Sequence, residues 1–541
     1  MTNTSASHRL PRPLRNTIIL SLTLLSVGSA QAFTLNSGID DLDLRWDNTV
    51  RYSNAWRLKK IDDKTAGSSY NPNIDDGDRN FSRGLVSNRL DLLTEFDARY
   101  QHDYGLRMSA AAWYDSVYNR NNDNNGRTFV NSLSVPSDEF TSDTEKLQGR
   151  KAELLDGFVY GRFGLGDTSL NLKFGQFAQI YGESLFFGTN GIAAAQLSPD
   201  VIKATSVPGS QVKEIMMPTK QISALWQLNP DVTVGAYYQL EWRKARLPAA
   251  GSYFSFADFV DEGGESLLTP FGLLRRGKDI DAKDSGQGGM ELKYKVNDYE
   301  FGLYAAIFHD RFPQFYLRPG EGDYQLVYGE DIKTIGASVS TLMGETNIAA
   351  EVSVRNDMPL VATGNVVVLP AGSDADNNNH PAYPLGNTLH ANLSAVTVFP
   401  ASPFWQGASL VGELAFNRVL SVTHNADQLD PNATRDATSM RLQFQPEYFQ
   451  VFPQVDVQVP LNVGYGLSGR SSVNGAGFLP EHGGDVSVGL KADYQKTWYA
   501  ALNYTNFFGS AGGVVNESGQ LSYDQVFHDR DFVSFSIQRS F

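Results

Sequence analysis

The stretch RLDLLTEFDARYQHDYGLRMSAAAWYD, Arg89–Asp115, decides the fold class. In an extended chain Leu90, Leu92, Phe96 and Tyr100 share one face, while Arg89, Asp91, Glu95, Asp97 and Arg99 share the other. His102-Asp103-Tyr104-Gly105 makes a tight connection. After it Leu106, Met108, Ala110, Ala112 and Tyr114 oppose Arg107, Ser109 and Asp115. A hairpin with one apolar and one charged face suits a transmembrane β-strand pair, lipid on one side and a wet interior on the other. A soluble sandwich alternates too, but rarely with so many charges in a row on its second face.

The same pattern recurs outward in both directions. Leu42, Leu44, Trp46, Val50 and Tyr52 oppose Asp41, Asp43, Arg45, Asp47 and Arg51. Val232, Val234, Ala236, Tyr238, Leu240 and Trp242 oppose Thr233, Tyr237, Gln239, Glu241 and Arg243, and Val486, Val488, Leu490, Ala492 and Tyr494 oppose Ser487, Lys491, Asp493 and Gln495. Short turns sit at 102–105, 164–167, 229–231, 296–298, 343–345 and 496–497. Long polar connections lie at 58–85, 119–150, 179–218, 244–286, 310–332, 357–388, 421–438, 466–483 and 509–530. Turns short on one side and long on the other are the outer-membrane arrangement, the long ones extracellular and the short ones periplasmic. A strand on each side of every long loop predicts an all-β, single antiparallel transmembrane β-barrel of eighteen strands. The count falls to sixteen if the weak segments 389–399 and 454–465 fail.

The chain ends supply the export logic. Arg9, Arg12 and Arg15 precede an apolar run from Ile18 to Val27 and then Ala30-Gln31-Ala32. This is the order of a signal peptide over residues 1–32, cleaved before Phe33; about ten apolar residues are too few for a helical membrane anchor. Residues 33–541 are then expected to form the barrel, and the roughly nine residues between Phe33 and the first strand argue against a plug domain. At the other end Val533, Phe535, Ile537 and Phe541 alternate with Ser534, Ser536, Gln538 and Ser540. A terminal aromatic on an amphipathic strand resembles the signal read by the barrel assembly machinery, so Phe541 is the expected assembly residue. Arg539 departs from the usual apolar residue there; its long side chain can snorkel at the interface.

Composition agrees. Mean hydropathy is −0.30, as for a soluble protein, but a barrel also reads so because only alternate residues meet lipid. Aromatics are 12%, glycines number 49 and cysteine is absent, so stability rests on hydrogen bonding rather than disulfides. The formal charge of −15 disfavours nucleic acid.

Further motifs carry a resemblance. Gly175-Gln176-Phe177-Ala178-Gln179-Ile180-Tyr181-Gly182-Glu183-Ser184, then Pro199-Asp200-Val201 and Pro208-Gly209-Ser210-Gln211-Val212-Lys213-Glu214, resemble the outer-membrane family numbered 1302 among the domains of unknown function. Tyr237–Trp242, Gly329–Lys333, Gly412-Glu413 and Asp529–Val533 are similar as well and follow in matching order across nearly the whole mature chain. The resemblance implies a barrel whose substrate is unassigned. It also implies a setting with a periplasmic lipoprotein-like partner and an inner-membrane pump, hence traffic in hydrophobic molecules. Fold alone does not fix the function.

The segment 179–218 mixes Tyr181, Phe186 and Phe187 with small residues and with Glu183, Lys203, Lys213 and Glu214. Too apolar for an exposed tip, it is expected to fold into the lumen and narrow it; the alternative is an external cap. Glu183 and Lys213 are then expected to line the constriction, with Tyr181 and Phe186 as apolar surface. Arg45, Arg51, Arg89, Arg99 and Arg107 face Asp47, Asp91, Glu95, Asp97 and Asp115 as a mixed ladder, which either sets a transverse field or fills the interior with ion pairs. Glu351, Arg355 and Glu413 are sparser interior charges.

The run Asp75–Phe81 looks like a calcium loop but lacks the ligand spacing of an EF-hand, so it reads as a solvated acidic turn and no metal is expected. His309-Asp310 and His528-Asp529 are the candidate catalytic pairs. Adjacent residues of a strand point to opposite faces, and no nucleophile elbow or phosphate loop accompanies them, so no catalytic residue and no cofactor are assigned. The function expected is an outer-membrane channel for uptake or exchange of small hydrophobic or amphipathic molecules, set in lipid and lipopolysaccharide. Alternatives are a sealed structural partner of an envelope lipid-transfer system and, third, an outer-membrane hydrolase. Substrate, direction, openness of the lumen and oligomeric state are not legible.

Overall fold

A computed structural model describes residues 33–36, 38–66, 71–126, 129–207, 210 and 212–541; the expected signal peptide lies outside them. Alternation over long stretches builds eighteen wall strands. The first six are β1 (Leu42–Arg57), β2 (Gly84–Tyr100), β3 (Tyr104–Asp115), β4 (Arg150–Leu165), β5 (Thr168–Phe177) and β6 (Thr219–Gln227). Then come β7 (Val232–Gln239), β8 (Gln287–Val296), β9 (Tyr299–Phe308), β10 (Ile332–Met343), β11 (Thr346–Pro359) and β12 (Leu385–Phe399). The last six are β13 (Gly407–His424), β14 (Asp436–Phe452), β15 (Val455–Gln458 and Leu461–Ser468), β16 (Gly484–Tyr494), β17 (Trp498–Phe508) and β18 (Phe532–Ser540). The gap within β15 falls at Pro460, which has no N–H to give to a ladder.

Each strand pairs antiparallel with its sequence neighbour, and β18 closes on β1 from Thr49↔Ser540 to Arg57↔Phe532. The amide of Phe541 extends that seam, donating to Asn48 O at 2.8 Å. The short strand Phe33–Asn36 pairs with β1 below the point where β18 stops. Both segments of doubtful strand character, 389–399 and 454–465, belong to wall strands, so the count is eighteen. One boundary moves: β7 ends at Gln239, and Trp242 packs edge-on against Tyr328 among the loops, 4.8 Å between ring centroids.

The two faces separate as the alternation requires. Leu90, Met108, Tyr114, Leu154 and Ile335 are exposed on the outside, whereas Arg51, Arg89, Asp91 and Asp115 are buried inside. Water would not tolerate so wide an apolar belt; hydrocarbon does. Beside the short turns the exposed residues are aromatic, with Tyr100 and Tyr104, Trp226, Tyr294 and Tyr299, and Tyr494, the girdle expected at a membrane interface. The tight turns take left-handed backbone at Gly166 (φ 62°), Asn297 (φ 53°) and Gly344 (φ 61°), which these residues adopt at little cost.

The long connections are more ordered than their polar composition predicts. Five of their segments form a second sheet in the order Val366–Val368, Gln314–Arg318, Asp323–Val327, Gly272–Arg276 and Ser266–Thr269. Tyr324, Leu326 and Phe315 are buried in its core. A second cluster joins Phe81, Tyr118, Phe140, Tyr253 and Phe254 to Phe532 of the last strand. The loop end of the barrel is therefore a cap with hydrophobic cores of its own.

Candidate functional site

The segment between β5 and β6 enters the barrel. It leaves the wall after Phe177 and makes its polar contacts on β11, β12 and β13, far around the ring. Glu351 accepts from the backbone amides of Glu183 (2.6 Å) and Ile192 (2.9 Å). One oxygen of Glu413 accepts from the amides of Leu185 (3.1 Å), Phe186 and Phe187 (2.9 Å). Arg355 donates back to the carbonyls of Thr189, Asn190 and Gly191 at 3.1, 2.7 and 2.7 Å. The Asn190 side chain, fully buried, is held by Asn392 and His390.

Such close approach of backbone to carboxylate requires glycine at two places. A Cβ at Gly191 would stand 2.2 Å from Glu351 Oε1, and one at Gly182 (φ 91°) 2.5 Å from Oε2. On its way back to β6 the segment is braced on the other wall, where Arg51 holds Glu214 through two hydrogen bonds of 3.1 and 3.3 Å. The loop thus spans the lumen and is not an external cap.

The sequence-predicted residues divide around this bridge. Glu183 lies 3.6 Å from Lys293 Nζ, which also pairs with Glu300 at 2.9 Å; burial raises the Glu183 pKa while Lys293 opposes the rise. Phe186 is partly exposed to a lumenal cavity. Tyr181 is packed instead, buried against Tyr237 and Tyr304 at ring distances of 5.4 and 6.3 Å. Lys213 stands in the short helix Val212–Ile215, and its side chain is outside the described residues.

The charge ladder is three groups rather than one line. Arg45 pairs with Asp47 at 2.6 Å at the exposed short-turn end, where Arg99 is also exposed. Arg107 gathers Glu95, Asp97 and Asp156 at 2.5, 2.9 and 3.3 Å. Beneath the loop Arg89 and Arg51 share Asp91 at 2.8 and 3.7 Å. Asp115 stands apart, accepting from Ser87 Oγ and the amides of Asn88 and Val117; its role is to fix the end of β3. Ion pairs fill part of the interior, and the Arg107 group borders a cavity.

Two cavities flank the bridge. One of about 360 Å³ is bordered by Glu95, Arg107, Asp156, Lys173 and Phe177. The other, about 530 Å³, lies between the loop and the wall of β14–β18. Phe186, Phe254, Phe478, Phe507, Phe527 and Phe532 give it aromatic sides, and Arg441 and Asp485, paired at 2.9 Å, add one polar corner.

Two motifs serve purposes the sequence did not disclose. The acidic turn is not solvated: Asp75, Asp76 and Asp78 are buried. Asp78 accepts from Arg57 (2.8 Å) and Arg530 (3.0 Å), and Arg57 also reaches Asp529 (2.6 Å). This network ties the first long loop to the last across the barrel seam, so Asp529 of the second His-Asp pair has a structural task. In the first pair, His309 Nε2 donates to Ser285 O (2.9 Å) and Nδ1 accepts from the Asp331 amide (3.0 Å). Both ring nitrogens are engaged with backbone, which leaves none for a nucleophile. The sparse interior charges Glu351, Arg355 and Glu413 were the legible signal for the loop anchors, since an isolated charge on a lumenal face needs a partner.

A family described as "Protein of unknown function (DUF1302)" matches residues 14–541 of the sequence. No curated protein matches it. Among solved structures the chain is similar to Acinetobacter baumannii OccAB2, with 9% identity over 94% of this chain and 99% of that one and a TM-score of 0.42. It is similar also to Pseudomonas aeruginosa OpdK, solved with vanillate (11% identity, 92% and 98% covered, TM-score 0.39). A third likeness is the outer membrane channel DcaP of Acinetobacter baumannii (9% identity, 95% and 100% covered, TM-score 0.37).

Proposed function

The chain belongs to the DUF1302 family of proteins of unknown function, and from that premise we propose that it is an outer-membrane channel for small hydrophobic or amphipathic molecules. The observation that carries this reading is the aromatic cavity of about 530 Å³ between the lumen-crossing loop and the β14–β18 wall. Six phenylalanine rings around open space offer a transient resting place for an apolar solute, and the nearby Arg441–Asp485 pair orients a polar end. Glu183 of the same loop and Lys293 of wall strand β8 supply a charged restriction, where a unit charge acts more strongly than in bulk water.

Uptake tests this. Cells with an intact lipopolysaccharide leaflet should admit 3-phenylpropanol faster when they carry the protein. Ala204→Phe, which adds a ring to the cavity from the loop side, should slow that entry. Equal uptake with and without the protein would end the channel reading.

A second reading, a sealed structural partner of an envelope lipid-transfer system, draws on the loop braced to both walls and on the second sheet over the loop end. The same uptake comparison separates the two, since a sealed barrel admits nothing.

A further inference from the structure

The loop end of the barrel holds a second cavity of about 530 Å³, at the start of β4 between the connections 116–149 and 240–286. Its polar border is dominated by cations: Lys146, Arg150, Lys151, Arg243, Lys244 and Arg246, against three carboxylates. Four of the cations are compensated. Lys146 pairs with Asp143 at 3.1 Å, Arg150 with Glu145 at 2.8 Å, Lys244 with Asp261, and Arg246 with Glu153 and Asp200 at 2.5 and 2.7 Å.

The remaining two are less fully matched. The carboxylate beside Lys151 is that of Glu153, 3.8 Å away and already committed through both oxygens to Arg246. Arg243, half-buried, donates to the Pro218 carbonyl at 2.8 Å and forms no ion pair with a carboxylate of the described residues. Leu147, Met217 and Ala245, all buried, give the cavity an apolar floor. Two cations short of counter-charge in a concave site, over an apolar floor, are the complement of an anion with a hydrophobic tail.

We propose that this cavity is a capture site for small amphipathic carboxylates, with Lys151 and Arg243 holding the carboxylate and Leu147, Met217 and Ala245 the apolar tail. The inference rests on the channel reading and narrows it: substrates would meet this site at the extracellular mouth before the aromatic cavity within.

Calorimetric titration of the purified full-length protein tests it with a matched pair, 3-phenylpropionate and 3-phenylpropanol. The acid should bind at least about tenfold more tightly than the alcohol, and more weakly as salt rises. Lys151→Gln and Arg243→Gln should each weaken the acid about tenfold and leave the alcohol unchanged. Heat-modifiable migration of each variant establishes that its barrel is folded. Equal affinity for acid and alcohol, or undiminished acid binding in both folded variants, would overturn the site. Inorganic phosphate binding as tightly as the acid would overturn it too, as a general anion trap. Channel and site fail separately: alcohol uptake by cells can persist without acid preference, and acid can bind a barrel that passes neither.

Discussion

Replacing Glu413 with alanine should free the tip of the loop that crosses the lumen. One oxygen of this buried carboxylate accepts from three consecutive backbone amides, those of Leu185, Phe186 and Phe187. Hydrogen bonds to a charged acceptor contribute ~1.5–3 kcal/mol each. The released amides can find water in a wet lumen, and removing the carboxylate also removes the cost of burying it. A net of about 1 kcal/mol per amide is then reasonable, or about 3 kcal/mol in all. That corresponds to a change on the order of a hundredfold in the ratio of pinned to released loop. Glu413→Gln keeps an acceptor oxygen but loses the charge, and should give roughly half the effect in free energy. Amide hydrogen exchange over residues 183–192 reads the release directly. The alanine variant should exchange there about a hundredfold faster, the glutamine variant about tenfold faster, and the wall strands β3 and β4 at the parental rate. Unchanged protection in the alanine variant would refute the claim that Glu413 anchors the loop.

Three other perturbations probe other joints. Asp78→Ala leaves Arg57 and Arg530 buried without a shared carboxylate, which should cost about 3–5 kcal/mol; an unchanged urea midpoint would contradict the seam network. Phe541→Asp should lower the amount of protein in the outer membrane more than Asn122→Asp does, and equal abundance would count against a terminal assembly signal. The cap should tighten in mild acid. Burial, and next Asp75, pushes Asp76 up to about 7, and burial with Asp76 and Asp75 raises Asp258 as well, while Arg79 pulls Asp76 the other way. A carboxyl raised above its unfolded pKa near 4 favours the folded state when protonated, and that stability is lost as pH rises through about 7. Proteolysis of the first long loop should therefore be slower at pH 5.5 than at pH 8, and the reverse order would sink the assignment.

The wall was legible because each strand carries its own evidence: a period of two needs no knowledge of the partner, and Arg89–Asp115 alone shows both faces. Loop lengths then ordered the strands, including β12 and the broken β15 whose patterns are weakest. The cap was not legible. Gln314–Arg318 and Asp323–Val327 are short and surrounded by polar residues; they pair with each other, and each takes its second neighbour from another loop. Ion-pair partners were hidden for a similar reason. Arg51 meets Glu214 across 163 residues of sequence, and Asp78 meets Arg530 across 452, so the faces of the ladder could be read but not its connections. Composition pointed the 179–218 loop inward, and its hydrogen bonds reach β11, β12 and β13, with Phe187 buried and Phe186 facing a cavity. It could not say that Tyr181 would be sheltered too, because Tyr237 and Tyr304 sit on other strands.

If molecules pass through this barrel, purified full-length protein in a planar lipid bilayer carries current. Discrete steps of small conductance should appear, as expected for a lumen bridged by a pinned loop, and larger steps when residues 183–192 are shortened. A featureless baseline from both proteins, each shown to be folded and inserted, would contradict the channel reading and leave the sealed barrel as the reading that stands.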